Sequence, residues 1–372
     1  MGGERYGWVH MTINRVRDKG YTAGDLISVI HADAREAMAK FPDGSFDCLI
    51  TDPPFGIAIT KNEREVGRPH WDRSRIAFDK TFWAEARRVL KPGANLVAMG
   101  HPKSFARMSV AIEDAGFDIA DTISWIHGQG YPAGFRHLDE ELRRVGEDEL
   151  AGRYAGWGNM LRPSFEPIVL ARNLGSNDSL PALIGAGGAG GLNVDALRLP
   201  VGGEERSRTP GKVNSTATWR VNRPEGRKSS PPPAGRLPGN VLLQHAIGCD
   251  EDRCEESCPV AEIRRQGLSK RGRNEDASRF YRSFYHHPKA TRAERPEVDG
   301  ITGPSVKPVG VMEWLVALTT RPGQLVLDPF AGTGTTLEAC ARAGVRAVGI
   351  EREAAYLPLL ELRIARLNSP HP

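Results

Sequence analysis

Two short motifs, each at the end of a strand-like run, most constrain the fold of this chain. Asp52-Pro53-Pro54-Phe55 follows the apolar run 47–51, and the glycine-rich stretch 328–336 follows the run 324–327. Segments with apolar residues at helical spacing alternate with such runs near both ends of the chain. Strand, helix and strand in series predict a mostly parallel, doubly wound α/β sheet, with helices on both faces.

The glycine-rich stretch has the arrangement of a loop that holds a nucleotide-like ligand. Gly332 and Gly334 stand between a strand and a helix that begins near Thr335, so the backbone can turn tightly and present free N–H groups. The next strand ends at Glu351, whose carboxylate can accept hydrogen bonds from ribose hydroxyls. The loop lacks the third glycine of dinucleotide sites and has no basic residue for a diphosphate, which favours S-adenosylmethionine over NAD or ATP. A tight turn without a ligand is the alternative.

The Asp-Pro-Pro-Phe motif suits chemistry on an exocyclic amine of a nucleobase. The lone pair of such an amine is delocalised into the ring, and acceptors that hold its hydrogens localise it. Asp52 and the carbonyl of Pro53 provide two acceptors, because the Pro53-Pro54 pair fixes the turn. Phe55 offers a flat face to a base that has left the DNA stack. With the glycine loop, the motif predicts methyl transfer, whereas alone it could equally be a rigid strand-end turn.

Together these motifs resemble those of the DNA amino-methyltransferases, which act on N6 of adenine or N4 of cytosine. Their order, with the reaction motif first and the glycine loop last, is similar to the permuted class called beta. The segments His31 to Asp33, Leu161 to Ile168 and Ser305 to Pro308 also resemble family segments. The stretch Gly191 to Asp195 resembles one of phage-type members, and Arg162 stands where many relatives have Lys.

The resemblance implies S-adenosylmethionine as the cofactor and DNA, double-stranded with a flipped base, as the substrate. The implied catalytic residues are Asp52, Pro53, Pro54 and Phe55. The implied cofactor-binding residues are Asp33, Lys307, Asp328, Phe330, Gly332, Gly334, Thr335 and Glu351. The resemblance allows a cognate restriction enzyme and a homodimer without requiring either.

The identity of residue 52 favours adenine as the target base. N6-adenine members of the family usually carry Asp at this position, whereas N4-cytosine members more often carry Ser. The chain is therefore expected to be a site-specific adenine DNA methyltransferase. Two alternatives stay open: an N4-cytosine methyltransferase of the same architecture, and a catalytically silent DNA-binding protein on this fold.

The resemblance also divides the chain and implies one antiparallel strand in its sheet. The parts are an N-terminal extension (1–19), a first catalytic part (20–175), a target-recognition insert (176–302) and a second catalytic part (303–372). The basic stretch from Gly202 to Gly239 lacks apolar periodicity, so it is either a mobile loop or a segment that orders on phosphates. Gly185 to Gly190 matches G-x-G-x-x-G literally but is interpreted as a flexible loop, because no clear strand precedes it and no clear helix follows.

Four residues of the insert form a candidate zinc site. His245, Cys249, Cys254 and Cys258 fall within fourteen residues, and four such ligands could bind zinc and staple a segment with little core of its own. The spacings are looser than in a C-x-x-C pair, and reduced cysteines near the surface are the alternative.

Composition and charge set wider limits on partners and location. A net charge of +4 permits a partner with phosphates without demanding one. No run is long and apolar enough to span a bilayer, and the amino terminus lacks the apolar core of a signal peptide. Five cysteines without a secretory context indicate a reducing cytoplasm.

Overall fold

The computed structural model describes only part of the chain. The described residues are 26–56, 72, 74–127, 135–175, 178–199, 235–246, 248–250, 252–256, 258–266, 278, 281–284, 297–303 and 306–367. The proposed N-terminal extension lies outside this part, as does the basic stretch up to residue 234. No helix within the described ranges is long and apolar enough to cross a membrane.

Strands and α-helices alternate through most of the described chain. The strands are Ile27–His31 (β1), Phe46–Thr51 (β2), Leu90–Met99 (β3), Asp118–Ile126 (β4), Phe165–Arg172 (β5), Val241–Gln244 (β6), Arg282–Phe284 (β7), Glu297–Val298 (β8), Ile301–Thr302 (β9), Leu325–Asp328 (β10) and Arg346–Glu351 (β11). The helices are Ala34–Met38 (α1), Lys80–Val89 (α2), Phe105–Asp114 (α3), Leu138–Arg144 (α4), Asp148–Arg153 (α5), Leu180–Gly185 (α6), Pro259–Gln266 (α7), Val309–Thr319 (α8), Thr335–Arg342 (α9) and Leu357–Leu367 (α10).

Nine strands form one sheet, in the order β1-β11-β10-β2-β3-β5-β4-β6-β7. Neighbouring strands are parallel, except that β5 runs antiparallel to both β3 and β4. Strands β8 and β9 form a separate antiparallel pair. The predicted doubly wound, mostly parallel α/β sheet with one antiparallel strand is therefore confirmed.

Both faces of the sheet are apolar and covered by helices. On β2, Cys48 and Ile50 belong to a buried cluster that includes Leu315 of α8. The intervening Leu49 belongs to a second cluster, which includes Trp83 of α2. Because successive side chains of a strand point to opposite faces, a strand buried on both sides reads as a continuous apolar run.

The two motifs predicted from the sequence meet at the centre of the sheet. Strands β10 and β2 pair in parallel, with Val326 opposite Cys48 and Leu327 opposite Leu49. From β2 the chain passes through α2 to β3 on one side, and from β10 through α9 to β11 on the other. Such a reversal of strand order opens a crevice at the carboxyl ends of the strands, where ligands bind in open α/β sheets.

The loop from Gly185 to Gly190 lies away from this crevice and packs against the start of β3. The N–H of Ala189 donates to the carbonyl of Pro92 over 2.9 Å. A Cβ atom on Gly190 of this loop, whose φ is +115°, would clash with the carbonyl oxygen of Gly93. Helix α6, and not a strand, precedes the loop. Its glycines therefore serve close packing of backbone on backbone.

The proposed insert contributes strands to the same sheet as the catalytic parts. Strand β6 pairs in parallel with β4, with Val241 opposite Ser124, and β7 extends the sheet beyond β6. The sequence analysis did not predict these strands. Their carboxyl ends point the same way as those of β2 and β3, so the insert continues the edge of the sheet that bears the motifs.

Candidate active site at the carboxyl edge of the sheet

A cavity of about 400 Å³ opens where β2 and β10 end. This volume lies within the range of small-molecule sites. Both motifs line it, together with residues that follow β1, β3 and β11. Its acidic side chains are Asp33, Asp52, Asp72, Asp328, Glu351 and Glu353, and its basic ones are His101, Lys307 and Arg352. The surplus of carboxylates favours a ligand that carries positive charge over one that carries phosphates.

The glycine loop reaches its conformation through two left-handed residues. Gly332 and Gly334 have φ of +53° and +84°, a region that other residues enter at a cost. Gly334 is the N-cap of α9, so the free N–H groups of the first turn stand beside the cavity. A Cβ atom on Gly334 would also lie 3.1 Å from Leu360.

Glu351, at the end of β11, stabilises the glycine loop through hydrogen bonds. Its Oε2 accepts a 2.7 Å hydrogen bond from the N–H of Gly332, and its Oε1 accepts one of the same length from the N–H of Glu353. Burial raises the pKa of Glu351 to about 7. Each carboxylate oxygen can still accept a second hydrogen bond from a ligand.

Asp328 accepts hydrogen bonds from neighbouring groups of the protein. Its Oδ1 accepts from Oγ1 of Thr51 at 2.7 Å and from the N–H of Phe330 at 3.1 Å. Burial raises the pKa of Asp328 to about 6. Asp328 lines the cavity, but these hydrogen bonds also connect the ends of the two central strands, β2 and β10.

Asp52 is held by a buried ammonium group. Nζ of Lys307 lies 2.7 Å from Oδ2 of Asp52 and 3.5 Å from Oε2 of Glu166. Burial alone would lower the pKa of Lys307, but the two carboxylates together raise it. Burial also raises the pKa of Asp52, with Lys307 opposing the shift. Oδ1 of Asp52 is buried and has no hydrogen-bond partner among the described residues.

Lys307 also joins Asp52 to the aromatic residue of the motif. Its Nζ lies 5.0 Å from the centre of the Phe55 ring, a distance at which a cation is attracted to the ring face. The ring of His101 lies 5.9 Å from that of Phe55. The N–H of Gly56 donates to Oδ1 of Asp72 at 3.0 Å, which ties down the end of the motif.

Asp33 and Phe330 stand at the other end of the cavity, near the end of β11. Asp33 caps α1 by accepting a 2.9 Å hydrogen bond from the N–H of Arg35, and its Oδ2 lies 3.9 Å from Nη1 of Arg352. The ring of Phe330 packs 5.3 Å from that of Phe82. All the residues assigned to catalysis or to the cofactor by the resemblance thus line or border one cavity, apart from Gly334, which forms the loop behind it.

The sequence analysis assigned no role to Glu166, His127 or His101. Glu166 lies on β5, within the 161–168 segment that resembles a family segment, and Nε2 of His127 lies 4.0 Å from its Oε1. Burial and the cations Lys307 and Arg162 lower the pKa of His127. The position of His101, two residues after the end of β3, was the available signal, because strand carboxyl ends line such crevices.

A match to a family model identifies the family of this chain. The model named N6_N4_Mtase and described as DNA methylase matches residues 46–362. The chain belongs to this DNA methylase family. The match spans both motifs, the antiparallel strand β5 and the insert between them.

Individual members of this methylase family match shorter stretches. The type II methyltransferase M2.LlaDCHI of Lactococcus lactis subsp. cremoris is 34% identical over 132 residues, which are 32% of this chain and 47% of the relative. M2.DpnII of Streptococcus pneumoniae is 37% identical over 132 residues, with the same shares. The chain spans about half the length of the curated relatives it matches.

Two solved methyltransferase structures align with most of this chain at low sequence identity. The PvuII DNA methyltransferase, described as cytosine-N4-specific, is 13% identical, with a TM-score of 0.47 over 91% of this chain and 86% of that one. M1.HpyAVI, solved as a complex with SAM, is 16% identical, with a TM-score of 0.40 over 91% of this chain and 99% of that one.

Proposed function

We propose that this protein transfers a methyl group from S-adenosylmethionine to the exocyclic N6 of adenine in double-stranded DNA. The observation that carries the proposal is the unpartnered Oδ1 of Asp52, in the cavity that also contains the glycine loop. A buried acceptor without a partner costs free energy, and a ligand that brings an N–H group recovers it.

The residues at the glycine loop fit S-adenosylmethionine. Glu351 is placed to accept from ribose hydroxyls, and the backbone of Gly332 leaves room for close approach. No basic side chain stands in the loop to bind a diphosphate. When bound, the cofactor supplies an electrophilic methyl group that carries the positive charge of a sulfonium, and the surplus of carboxylates around the cavity suits that charge.

Asp52 would bind and orient the amine of the target base. Its Oδ1 accepts one N–H, while Lys307 fixes the other oxygen and so the orientation of the carboxylate. Holding the hydrogens in this way turns the nitrogen lone pair towards the methyl donor. As the new C–N bond forms, the bond between the methyl carbon and the donor sulfur would break, its electron pair would stay on sulfur, and the nitrogen would release a proton. Because burial raises the pKa of Asp52, its carboxylate is a suitable acceptor for that proton.

Phe55 would stack on the flipped base, since its ring is only partly buried at the mouth of the cavity. Asp at position 52 supports adenine, as the resemblance implies. The residues 176–302 are proposed to recognise the target sequence from the same edge of the sheet. Pairing with a cognate restriction enzyme and assembly into a homodimer stay predictions.

Mass spectrometry of nucleosides from DNA of cells that express the chain tests the proposal. The host must lack adenine methylation of its own, and the expected product is then N6-methyladenine, absent from the same cells with an empty vector. N4-methylcytosine in its place would refute the assignment of the base. DNA binding without any methylated nucleoside would refute methyl transfer itself and favour the catalytically silent protein.

A further inference from the structure

The four candidate zinc ligands of the insert converge in space. His245 directly follows β6, Cys258 directly precedes α7, and Cys249 and Cys254 lie on the loop between them. One ligand atom from each of the four residues lies within 4.8 Å of all the others. Nδ1 of His245 is 3.4 Å from Sγ of Cys254 and 3.5 Å from Sγ of Cys258. The fold thus brings together four residues that are loosely spaced in the sequence.

These distances match the edges of a zinc tetrahedron. With Zn–S near 2.3 Å and Zn–N near 2.0–2.1 Å, tetrahedral geometry places nitrogen and sulfur about 3.6 Å apart and two sulfurs about 3.8 Å apart. The observed nitrogen-to-sulfur distances of 3.4 and 3.5 Å agree with this geometry. One disulfide would use two of the three thiols, whereas zinc uses all four groups.

The surroundings of the cluster favour a structural ion. Two of the ligands, Cys249 and Cys258, belong to a small buried apolar cluster with Leu243, Ala246 and Val260. So small a core cannot hold β6, α7 and the loop between them together on its own. Small units of this kind are commonly stabilised by a metal. The N–H of Glu255 also points at Sγ of Cys249 over 3.2 Å, as donors do towards a bound thiolate.

We propose that Nδ1 of His245 and the thiolates of Cys249, Cys254 and Cys258 bind one structural zinc ion. Binding displaces three thiol protons to solvent and leaves no open position for water, so the ion is not a catalyst. It ties the carboxyl end of β6 to the start of α7.

The ion would stabilise the edge of the sheet on which the candidate active site lies. Strand β6 pairs with β4, with Leu242 opposite Trp125 and Leu243 opposite Ile126. The next residue after β4, His127, lies beside Glu166, which contacts Lys307. Zinc at the end of β6 would therefore stabilise that edge of the sheet. This role does not depend on which reaction the cavity performs.

Metal analysis of the full chain tests the proposal. The chain is expressed in medium with zinc and purified without a metal-binding tag, and its zinc content is measured by mass spectrometry. We expect one zinc ion per chain. Cys254→Ala and Cys258→Ala should lose it, whereas Cys340→Ala, which removes a thiol of the main core, should keep it.

A second measurement needs no variant, in case the cysteine variants do not fold. Unmutated chain is stripped with a chelator and loaded with cobalt, and its absorption spectrum is recorded. Tetrahedral cobalt with thiolate ligands gives intense visible bands and a sulfur charge-transfer band, which zinc should then bleach. A chain that holds no zinc and takes up no cobalt, or a disulfide between two of these cysteines in the freshly purified protein, would overturn the proposal. Full zinc content in Cys258→Ala would do the same.

Discussion

Thr51, the last residue of β2, donates a 2.7 Å hydrogen bond from its Oγ1 to Oδ1 of Asp328, the last residue of β10. Thr51 directly precedes the reaction motif, Asp328 is the first residue of the glycine-rich stretch, and the two are 277 positions apart in the chain. The bond is buried and holds the ends of the central strands in one register. The reaction motif and the glycine loop thus share a direct polar contact beneath the cavity.

Replacing Thr51 by Val should weaken this contact without changing the volume of the side chain much. Asp328 would lose one donor while it remains buried, which costs about 1–3 kcal/mol of unfolding free energy. Urea unfolding measures that loss. Thr51→Ser keeps the hydroxyl and is the matched control. If Thr51→Val were as stable as the unmutated chain, the bond would contribute nothing to the fold.

Replacing Lys307 by Met should shift the pH dependence of methyl transfer. Lys307 opposes the effect of burial on the pKa of Asp52, so without it that pKa rises further. Because the proposed role of Asp52 requires an ionised carboxylate, the acidic limb of the pH–rate profile should move to higher pH. Lys307→Arg keeps the positive charge and should shift the profile less. An unmoved acidic limb in Lys307→Met would show that the ion pair does not control Asp52.

Replacing Gly334 by Ala should weaken cofactor binding. The left-handed backbone at φ +84° costs an alanine about 1–2 kcal/mol, and the new Cβ would press against Leu360. Calorimetric titration with S-adenosylmethionine should show the affinity falling by about tenfold if most of that cost falls on the loop. Gly185→Ala is the control in the literal G-x-G-x-x-G sequence, because nothing lies within 4 Å of a Cβ there. Equal effects of the two substitutions would contradict the assignment of the cofactor loop.

The stability of the protein without cofactor should fall as the pH rises through the range in which Glu351 ionises. Its pKa is raised by burial from 4.5 to about 7, so the folded state binds the proton more tightly than the unfolded state. The resulting stabilisation is complete below pH 4.5 and is lost progressively as the pH rises to about 7, a change on the order of 3 kcal/mol.

Urea unfolding at pH 5 and pH 7.5 measures this change, and Glu351→Gln should reduce the difference between the two pH values. Gln cannot ionise, although it lacks one of the two acceptors that hold Gly332 and Glu353. The account would be wrong if the variant lost as much stability between these pH values as the unmutated chain.

The strand-end motifs could be predicted from the sequence because their signals are local. Prolines at 53 and 54 fix the backbone, and glycines at 332 and 334 permit a left-handed turn, whatever surrounds them. Parallel strands then bring their carboxyl ends together, so the shared cavity followed from the α/β pattern.

The remaining features depend on contacts between distant residues, and the sequence pattern did not reveal them. Strand β6 has only four residues and gains its stability from pairing with β4. Glu166 contacts Lys307 because the antiparallel β5 places it there, and His127, directly after β4, lies beside Glu166. Lys307 was assigned to the cofactor, yet its closest described partner is Asp52. The resemblance pointed to the segments that hold Lys307 and Glu166, but only the fold shows what they contact.

The most direct test of the central claim compares unmutated chain with Asp52→Ala. Transfer of a labelled methyl group to DNA and binding of S-adenosylmethionine are measured on the same preparations. The account predicts that the variant transfers no methyl group above background while it binds the cofactor nearly as well as the unmutated chain. Methyl transfer by Asp52→Ala at the unmutated rate would contradict it.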